Sequence, residues 1–447
     1  GEMTSKPLPL LAALAAALAM PALAADVQGA TNDPYSLPAG GEQGLDMAVV
    51  DPEAMPEEPE QADERLFDME EGWNGAPVDL MRPVHPLYTE LRRALVRYQM
   101  DWSRLPRTLI PEKGLALAPG TTDPRAMMLR QRLGLGPVDP LSPTASPYDG
   151  LVEERVRDFQ AAHGLPVDGK AGPGTLAALN RGSGFYERLI AINLERARRL
   201  PAPGTANAKK YILVDAAAAR LWMFEDGQPV DSMKVVVGTP QSPTPMMAAL
   251  MRYVNVNPYW NLPPDLVAKL VAPNVLKYGV GFMADKRYQV LNNWEDDAKV
   301  IDPATVDWKA VASGATELRV RQLPGGSNFM GEIKFMLPNN YGIYLHDTPA
   351  KDLMQKDQRQ LSNGCVRLED ARRLARWLFG EMPRAQSEDA EQRVDLAAPV
   401  PVYITYLTAG ITPEGRLAFA PDTYGRDSRL LARFDPLAPR RTVGGGR

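Results

Sequence analysis

Two periodicities divide the chain. Up to about residue 200, apolar residues recur every three or four positions; from Lys209 they come in short β-rich runs cut by turn formers. In LYTELRRALVRYQMDW (87–102), Leu87, Leu91, Leu95 and Tyr98 fall on one face of a helix. Two more helical pieces follow, RAMMLRQRLGL (125–135) and GLVEERVRDFQAAHGL (150–165), and then PVDGKAGPGTLAALN (166–180). Val156 and Phe159 share a helical face, and Gly164 fits a left-handed C-cap. Asp168-Gly169 predicts a turn, Thr175 caps or opens the last helix, and Leu176 and Leu179 point inward from it.

The run KKYILVDAAAARLWMFEDGQPVDSMKVVVGTP (209–240) predicts strands around a turn at Glu225-Asp226-Gly227. MRYVNVNPYW (251–260), TELRVRQLP (316–324), GEIKFMLP (331–338), YGIYLHD (341–347) and VPVYITYLTA (400–409) predict further strands. The stretch 263–312 is helical and irregular. In EDARRLARWLFG (369–380), Ala371, Leu374, Ala375 and Leu378 share a face, Glu369 and Asp370 suit a helix start and Gly380 suits its end. The expected class is α+β and multidomain. A mostly β domain spans 207–428 with a largely helical cap insertion at 260–320, and an all-α scaffold spans 81–206 with a three-helix module at 125–182.

Composition changes the picture at the two ends. Between Glu42 and Glu71 there are twelve acidic residues and one Arg, with prolines interspersed; such a stretch cannot bury enough apolar area to fold, so 25–80 is expected to be an acidic disordered spacer. Gly1 and Glu2 stand ahead of Met3 as a remnant, and Lys6, the apolar run 8–20 and Ala22-Leu23-Ala24 have the order of a cleavable export signal. The alternative, an amphipathic helix, lacks a polar face. A soluble periplasmic protein with no stable membrane insertion after cleavage is expected, ending in a tail at 429–447. A net charge of −5 over 447 residues gives no basic face for nucleic acid.

Export sharpens the chemistry, because Cys365 is the single cysteine of the chain. A lone thiol in an oxidising compartment is either buried and inert or kept for its reactivity. Cys365 follows the turn formers Ser362-Asn363-Gly364, not an apolar run, and it precedes a helix N-terminus and Arg367, both of which favour a thiolate. A nucleophile needs a base. Of three histidines, His85 lies beside prolines at the scaffold start, His163 ends a module helix, and His346 ends the apolar strand Gly342–Leu345, nineteen residues before Cys365. His346 is therefore either that base or a satisfied structural histidine. One histidine in the β domain disfavours a zinc hydrolase, and neither a Ser-x-x-Lys, a nucleophile elbow nor a phosphate loop occurs. No metal and no cofactor is expected.

YLHDTP (344–349) followed by SNGCVR (362–367) resembles the L,D-transpeptidase catalytic domain of the YkuD type, whose pattern is an upstream His and then Ser-x-Gly-Cys-x-Arg. Gly238-Thr239, Asn328 and Gly331 in SNFMG, the closing strand and FAPDTYGRD (419–427) also fit. The 125–182 module resembles a small peptidoglycan-binding domain through Val156, Phe159, Gln160, His163, Gly164, Leu165, Asp168, Gly169, Gly174, Thr175, Ala178 and Leu179. That module with the long insertion is similar to the large YcbB-like subgroup. Two positions depart from the pattern: Asn363 stands where many relatives have His, and Met330 replaces a Leu.

The resemblance implies acyl transfer on peptidoglycan stem peptides. Cys365 attacks the carbonyl before the terminal D-Ala of a tetrapeptide, His346 shuttles the proton, and the Asp347 carbonyl orients the ring. The amides of Gly364 and Cys365 bind the oxyanion. Arg367 holds a substrate carboxylate or fixes the loop, the second being favoured, and Ser362 bonds within the loop. Asn363 and Asn328 are further candidates for substrate contact. Tyr344 and Trp260 are candidate lining aromatics, with core packing the alternative for Tyr344. The acceptor is a stem-peptide amine, an outer-membrane protein, a D-amino acid or water. A wall-peptide hydrolase and a non-catalytic wall-binding protein are the alternatives.

Overall fold

The computed structural model describes residues 83–139, 141, 145–201, 209–387 and 390–433. The expected leader and spacer, and the expected tail beyond 433, lie outside them. The described residues form two compact units: one holds 209–405, the other 83–201 with 406–433.

The first unit is built on a sheet. Its strands are β1 (Lys210–Asp215), β2 (Arg220–Glu225), β3 (Gln228–Gly238), β4 (Met247–Val256), β5 (Trp260–Leu262), β6 (Tyr288–Leu291), β7 (Val300–Ile301), β8 (Arg319–Gln322), β9 (Ile333–Met336), β10 (Leu345–His346), β11 (Gln360–Ser362), β12 (Val366–Leu368) and β13 (Gln392–Thr405). Nine of them pair in the order β11-β3-β12-β10-β9-β4-β13-β1-β2. β2 also pairs with β3, so the order closes on itself and leaves β11 attached to the end of β3. Closure removes the free edges that an open sheet presents. Ile212, Leu213, Val214, Leu221, Met223, Phe224, Val235, Val236 and Val237 are fully enclosed, as a near-continuous apolar run requires of strands covered on both faces.

β5, β8, β6 and β7 form a separate four-stranded sheet within the insertion. Helical turns at 264–278, 281–285 and 308–312 accompany it. The predicted helical character is present, organised around strands too short to show a period-2 pattern. After β12, the Ala371–Phe379 helix starts on Asp370, which accepts from the Arg373 amide, and ends at Gly380 with φ +83°. Ala371, Leu374 and Ala375 are buried, as the pattern predicts.

In the second unit, helices at Pro86–Tyr98, Arg125–Arg132, Gly150–Ala162, Pro173–Arg181 and Ser183–Arg198 match the expected scaffold. Val156, Phe159, Leu176 and Leu179 are buried, and Gly164 has φ +67° past the helix end. Gln160 fixes the Asp168-Gly169 turn: its carbonyl accepts from both amides and its Nε2 donates to the Lys170 carbonyl at 2.9 Å. Thr175 is not the cap. The helix begins at Pro173 behind Gly172, and buried Thr175 accepts from Gln160.

The periodicity places the β domain out to 428, but the sheet unit stops at Thr405. Residues 406–433 belong with the helices. Asn193 accepts from the Thr408 amide and donates to its hydroxyl, each at 2.9 Å, and Arg196 pairs with buried Asp427 at 2.6 Å. A short hairpin, β14 (Ala409–Ile411) with β15 (Leu417–Phe419), brings Phe419 against the rings of His163 and Tyr186.

Candidate active site

Three strands carry the key side chains. β10 runs parallel to β12 with Leu345 opposite Val366 and His346 opposite Arg367. On its other side β10 is antiparallel to β9, with His346 opposite Lys334. Alternation along β12 puts Cys365, just before the strand, on the same face as Arg367. The result is a cleft lined by Cys365, His346, Arg367, Tyr344, Trp260 and Asn363 among others. Two residues nineteen positions apart thus line one cleft, because a parallel pairing aligns the ends of their strands.

His346 is 2% exposed. Its Nδ1 lies 2.5 Å from the Asp347 carbonyl oxygen. A carbonyl only accepts, so Nδ1 carries the proton and Nε2 keeps its lone pair. Burial, and then the positive charge of Arg367, pull the imidazole down to about 3, with Lys334 and Lys351 adding to the effect. The ring is neutral at ordinary pH, in the tautomer a proton acceptor needs.

Asp347 has a second task. Its carboxylate accepts from the Glu332 amide at 3.0 Å and pairs with Lys351 at 2.7 Å. Lys351 also reaches the carbonyls of Leu368 and Glu369. Gly331, at φ +65°, leaves room for that carboxylate: a Cβ there would stand 2.2 Å from Asp347 Oδ2.

Cys365 is 4% exposed, with its Sγ 3.9 Å from the Gly342 carbonyl oxygen. The turn before it is tied at several points. Ser362 Oγ donates to the Cys365 carbonyl at 2.6 Å and accepts from the Gly364 amide at 3.1 Å. Thr244, absent from the sequence-derived candidates, donates to the Gly364 carbonyl at 2.6 Å and accepts from the Gly238 amide at 2.9 Å. Thr239 N–H meets the Ser362 carbonyl at 2.9 Å. Gly238 has no room for a side chain, since a Cβ would come 2.0 Å from the Ser242 carbonyl oxygen. Gly364 has φ +118°, a region L side chains avoid.

Several expectations change here. The Gly364 amide is engaged by Ser362, so it is not an open oxyanion donor in this arrangement. β12 separates Cys365 from the 371–379 helix, and a helix terminus acts over about one turn, so that N-terminus does not polarise the thiol. Asn328 is fully buried and does not face substrate. Its Nδ2 donates to the carbonyls of Pro258, Gln322 and Leu323, and its Oδ1 accepts from the Met330 amide. Asn328 therefore shapes the 322–330 loop. Its place among turn formers signals that loop but not where its amide points.

Arg367 does not fix the loop either. It is 5% exposed, its guanidinium lies 4.6 Å from the Phe329 ring centroid, and it makes no side-chain hydrogen bond among the described residues. Desolvation draws it down to about 10, partly offset by Cys365 and Tyr344. Phe329 also stacks on Trp260 at 4.7 Å. Tyr344 lines the cleft while 95% buried: its hydroxyl contacts Met330 Sδ and its ring lies 5.2 Å from Lys334 Nζ. Ser362 is held within the loop, and Asn363 is exposed at the rim. No cluster of three or more metal-ligating His, Cys, Asp or Glu occurs among the described residues.

Residues 209–402 match the family described as the L,D-transpeptidase catalytic domain (YkuD), and 130–179 match one described as "Putative peptidoglycan binding domain". A curated protein of Haemophilus influenzae named "Putative L,D-transpeptidase" is 32% identical over 248 residues, covering 54% of this chain. The chain spans about half the length of that relative, 48%. Among solved structures, an L,D-transpeptidase from Mycobacterium smegmatis is 12% identical, with a TM-score of 0.23 over 44% of this chain and 58% of its own. One from Xylanimonas cellulosilytica is 16% identical, with a TM-score of 0.20 over 66% and 99%.

Proposed function

We propose, for a chain that carries an L,D-transpeptidase catalytic domain at 209–402, that the protein is a peptidoglycan transpeptidase working through a Cys365 thioester. The observation that carries this is the state of His346. It is a neutral ring with its Nδ1 proton committed to the Asp347 carbonyl and its Nε2 lone pair left for a proton, in the cleft that holds the chain's one thiol.

The chemistry balances on those two side chains. His346 Nε2 takes the thiol proton as sulfur bonds to the donor carbonyl carbon and the π electrons move to oxygen. Collapse breaks the C–N bond, and the imidazolium returns its proton to the departing amine of the terminal D-Ala. The thioester is then attacked by an acceptor amine, which gives its proton to His346; the C–S bond breaks and the imidazolium passes that proton to the departing sulfur, restoring the thiol and the neutral ring. Burial of the ring makes its charged form costly, so proton transfer accompanies attack and no thiolate–imidazolium pair rests in the free site.

The donor is a tetrapeptide stem, and the acceptor is a second stem or an amine on an outer-membrane protein. The leader pattern at 1–24 supports a periplasmic site of action. The module at 130–179 supports wall binding. Incubation with tetrapeptide-rich muropeptides tests the reaction type. Crosslinked dimers support transfer, tripeptides alone mean hydrolysis, and unchanged substrate with folded protein rejects both.

A further inference from the structure

Phe329 stands between the cap and the nucleophile strand. Its ring lies 4.7 Å from that of Trp260, on β5 of the cap's sheet, at an interplanar angle of 27°. The same ring lies 4.6 Å from the guanidinium of Arg367 on β12. Loop contacts fix where the ring goes. The Phe329 amide donates to Gln322 Oε1 at 3.1 Å, the Met330 amide to Asn328 Oδ1 at 2.7 Å, and the Gly331 amide to the Asn328 carbonyl at 3.0 Å. A backbone pinned on both sides carries a short, stiff side chain. Arg367 is the opposite case, a long side chain that keeps much rotamer freedom unless something seats it. Among the described residues no hydrogen bond to its guanidinium does so. The face of an aromatic ring attracts a cation, and more strongly away from water. The ring is therefore fixed first, and the guanidinium follows it.

Where that charge sits matters to both reacting groups. Arg367 is two residues from Cys365 on one strand face and stands opposite His346 across the β10–β12 pair. After burial, it is the largest influence holding His346 down. Desolvation lowers Arg367 itself, and the charge of Cys365 is the first influence that opposes it, so thiolate and guanidinium stabilise each other. A cation held nearby favours the thiolate; one free to turn toward water favours it less.

We propose that Phe329 is a positioning residue: its ring seats the Arg367 guanidinium beside Cys365 and so eases loss of the thiol proton. This rests on the transpeptidase reading, which makes Cys365 the nucleophile, and deepens it. It also gives the cap a hold on the nucleophile strand, since Trp260 packs on the ring that seats Arg367.

The test follows alkylation of Cys365 by iodoacetamide in the full chain across pH, read by intact mass, with Cys365→Ala as the blank. Ionisation sets the midpoint of that profile, and access sets its plateau. Phe329→Leu keeps an apolar side chain and removes the ring. Its midpoint should move up by about half a pH unit or more, and Phe329→Tyr should return it to the wild-type position. Arg367→Gln should move the midpoint the same way, and Phe329→Leu should add nothing in that background. A merely structural ring would lower the melting temperature or change the plateau and leave the midpoint of Phe329→Leu unmoved; that outcome overturns the proposal. A shift that persists in full in the Arg367→Gln background, or a folded wild type whose thiol stays silent at every pH, overturns it too. If thermal melts show Phe329→Leu unfolded, Phe329→Met takes its place with the same expectations. The readout needs no turnover. Crosslinked muropeptides with an unmoved midpoint sink the positioning role alone, and a moved midpoint with muropeptides left unchanged sinks the transpeptidase reading alone.

Discussion

At the scale of single residues, Cys365 and His346 were legible in the sequence because each is the sole residue of its type in the β domain. Their partners were less so. The Asp347 carbonyl came from the resemblance alone, since any residue can offer a carbonyl. That the Arg367 guanidinium packs on the Phe329 ring with its Nε unbonded could not be foreseen, because such contacts are a property of the whole surrounding shell. His346→Gln keeps the ring's volume but no titratable lone pair, and should lower acylation of Cys365 about 10²- to 10⁴-fold with little change in melting temperature. The wild-type pH profile carries a signed expectation. With His346 held down at about 3, its neutral form persists far below the ordinary range. The acid limb of kcat/KM should therefore show no titration near 6.5. A limb at 6.5 that vanishes in His346→Gln would contradict the account.

At the scale of elements, long runs such as 150–162 and 371–379 were predictable from periodicity and caps, while the site's bracing was not. Thr244 sits in a proline-rich segment with no local pattern, and it matters only because β3 returns beside the Ser362–Cys365 turn. Thr244→Val would leave the Gly364 carbonyl and the Gly238 amide without their partner, each buried group costing about 1–3 kcal/mol. Equilibrium denaturation should register that loss, and Cys365 reactivity should fall with it. Gly331→Ala should act on the other side of the cleft. Its Cβ would overlap the Asp347 carboxylate, shifting the segment whose carbonyl holds His346. A lower melting temperature and a slower acylation rate are expected together; a variant as stable and as active as the wild type would show that Asp347 placement is not needed. The cap's four-stranded sheet escaped the sequence for a different reason, because two- to four-residue strands carry too few positions to display alternation.

At the scale of the whole molecule, the fold class was readable but the boundary after β13 was not. VPVYITYLTA is one apolar run, and only the pairing of Asn193 with Thr408 and of Arg196 with Asp427 shows that its end belongs to the helical unit. Global stability also has a signed pH dependence. All three histidines are buried and neutral, with His85 and His346 drawn to about 3 and His163 to about 4 by desolvation. Each folded value lies below the unfolded value near 6.5, so the unfolded chain binds the protons. Stability is complete above 6.5 and falls as pH drops toward 4, at up to about 1.4 kcal/mol per pH unit for each histidine. His85 accepts from the Leu87 amide as a helix cap, a role Asn also fills, so His85→Asn should fold and flatten the slope between pH 6.5 and 5 in urea titrations. A slope unchanged by that substitution would assign the loss to other groups. The central claim, a nucleophilic Cys365, is tested most directly by intact-mass spectrometry of the full chain after incubation with a carbapenem. One adduct of the reagent's mass on the wild type and none on folded Cys365→Ala is the predicted result; folded wild type that stays unmodified, or an adduct that survives the substitution, would contradict it.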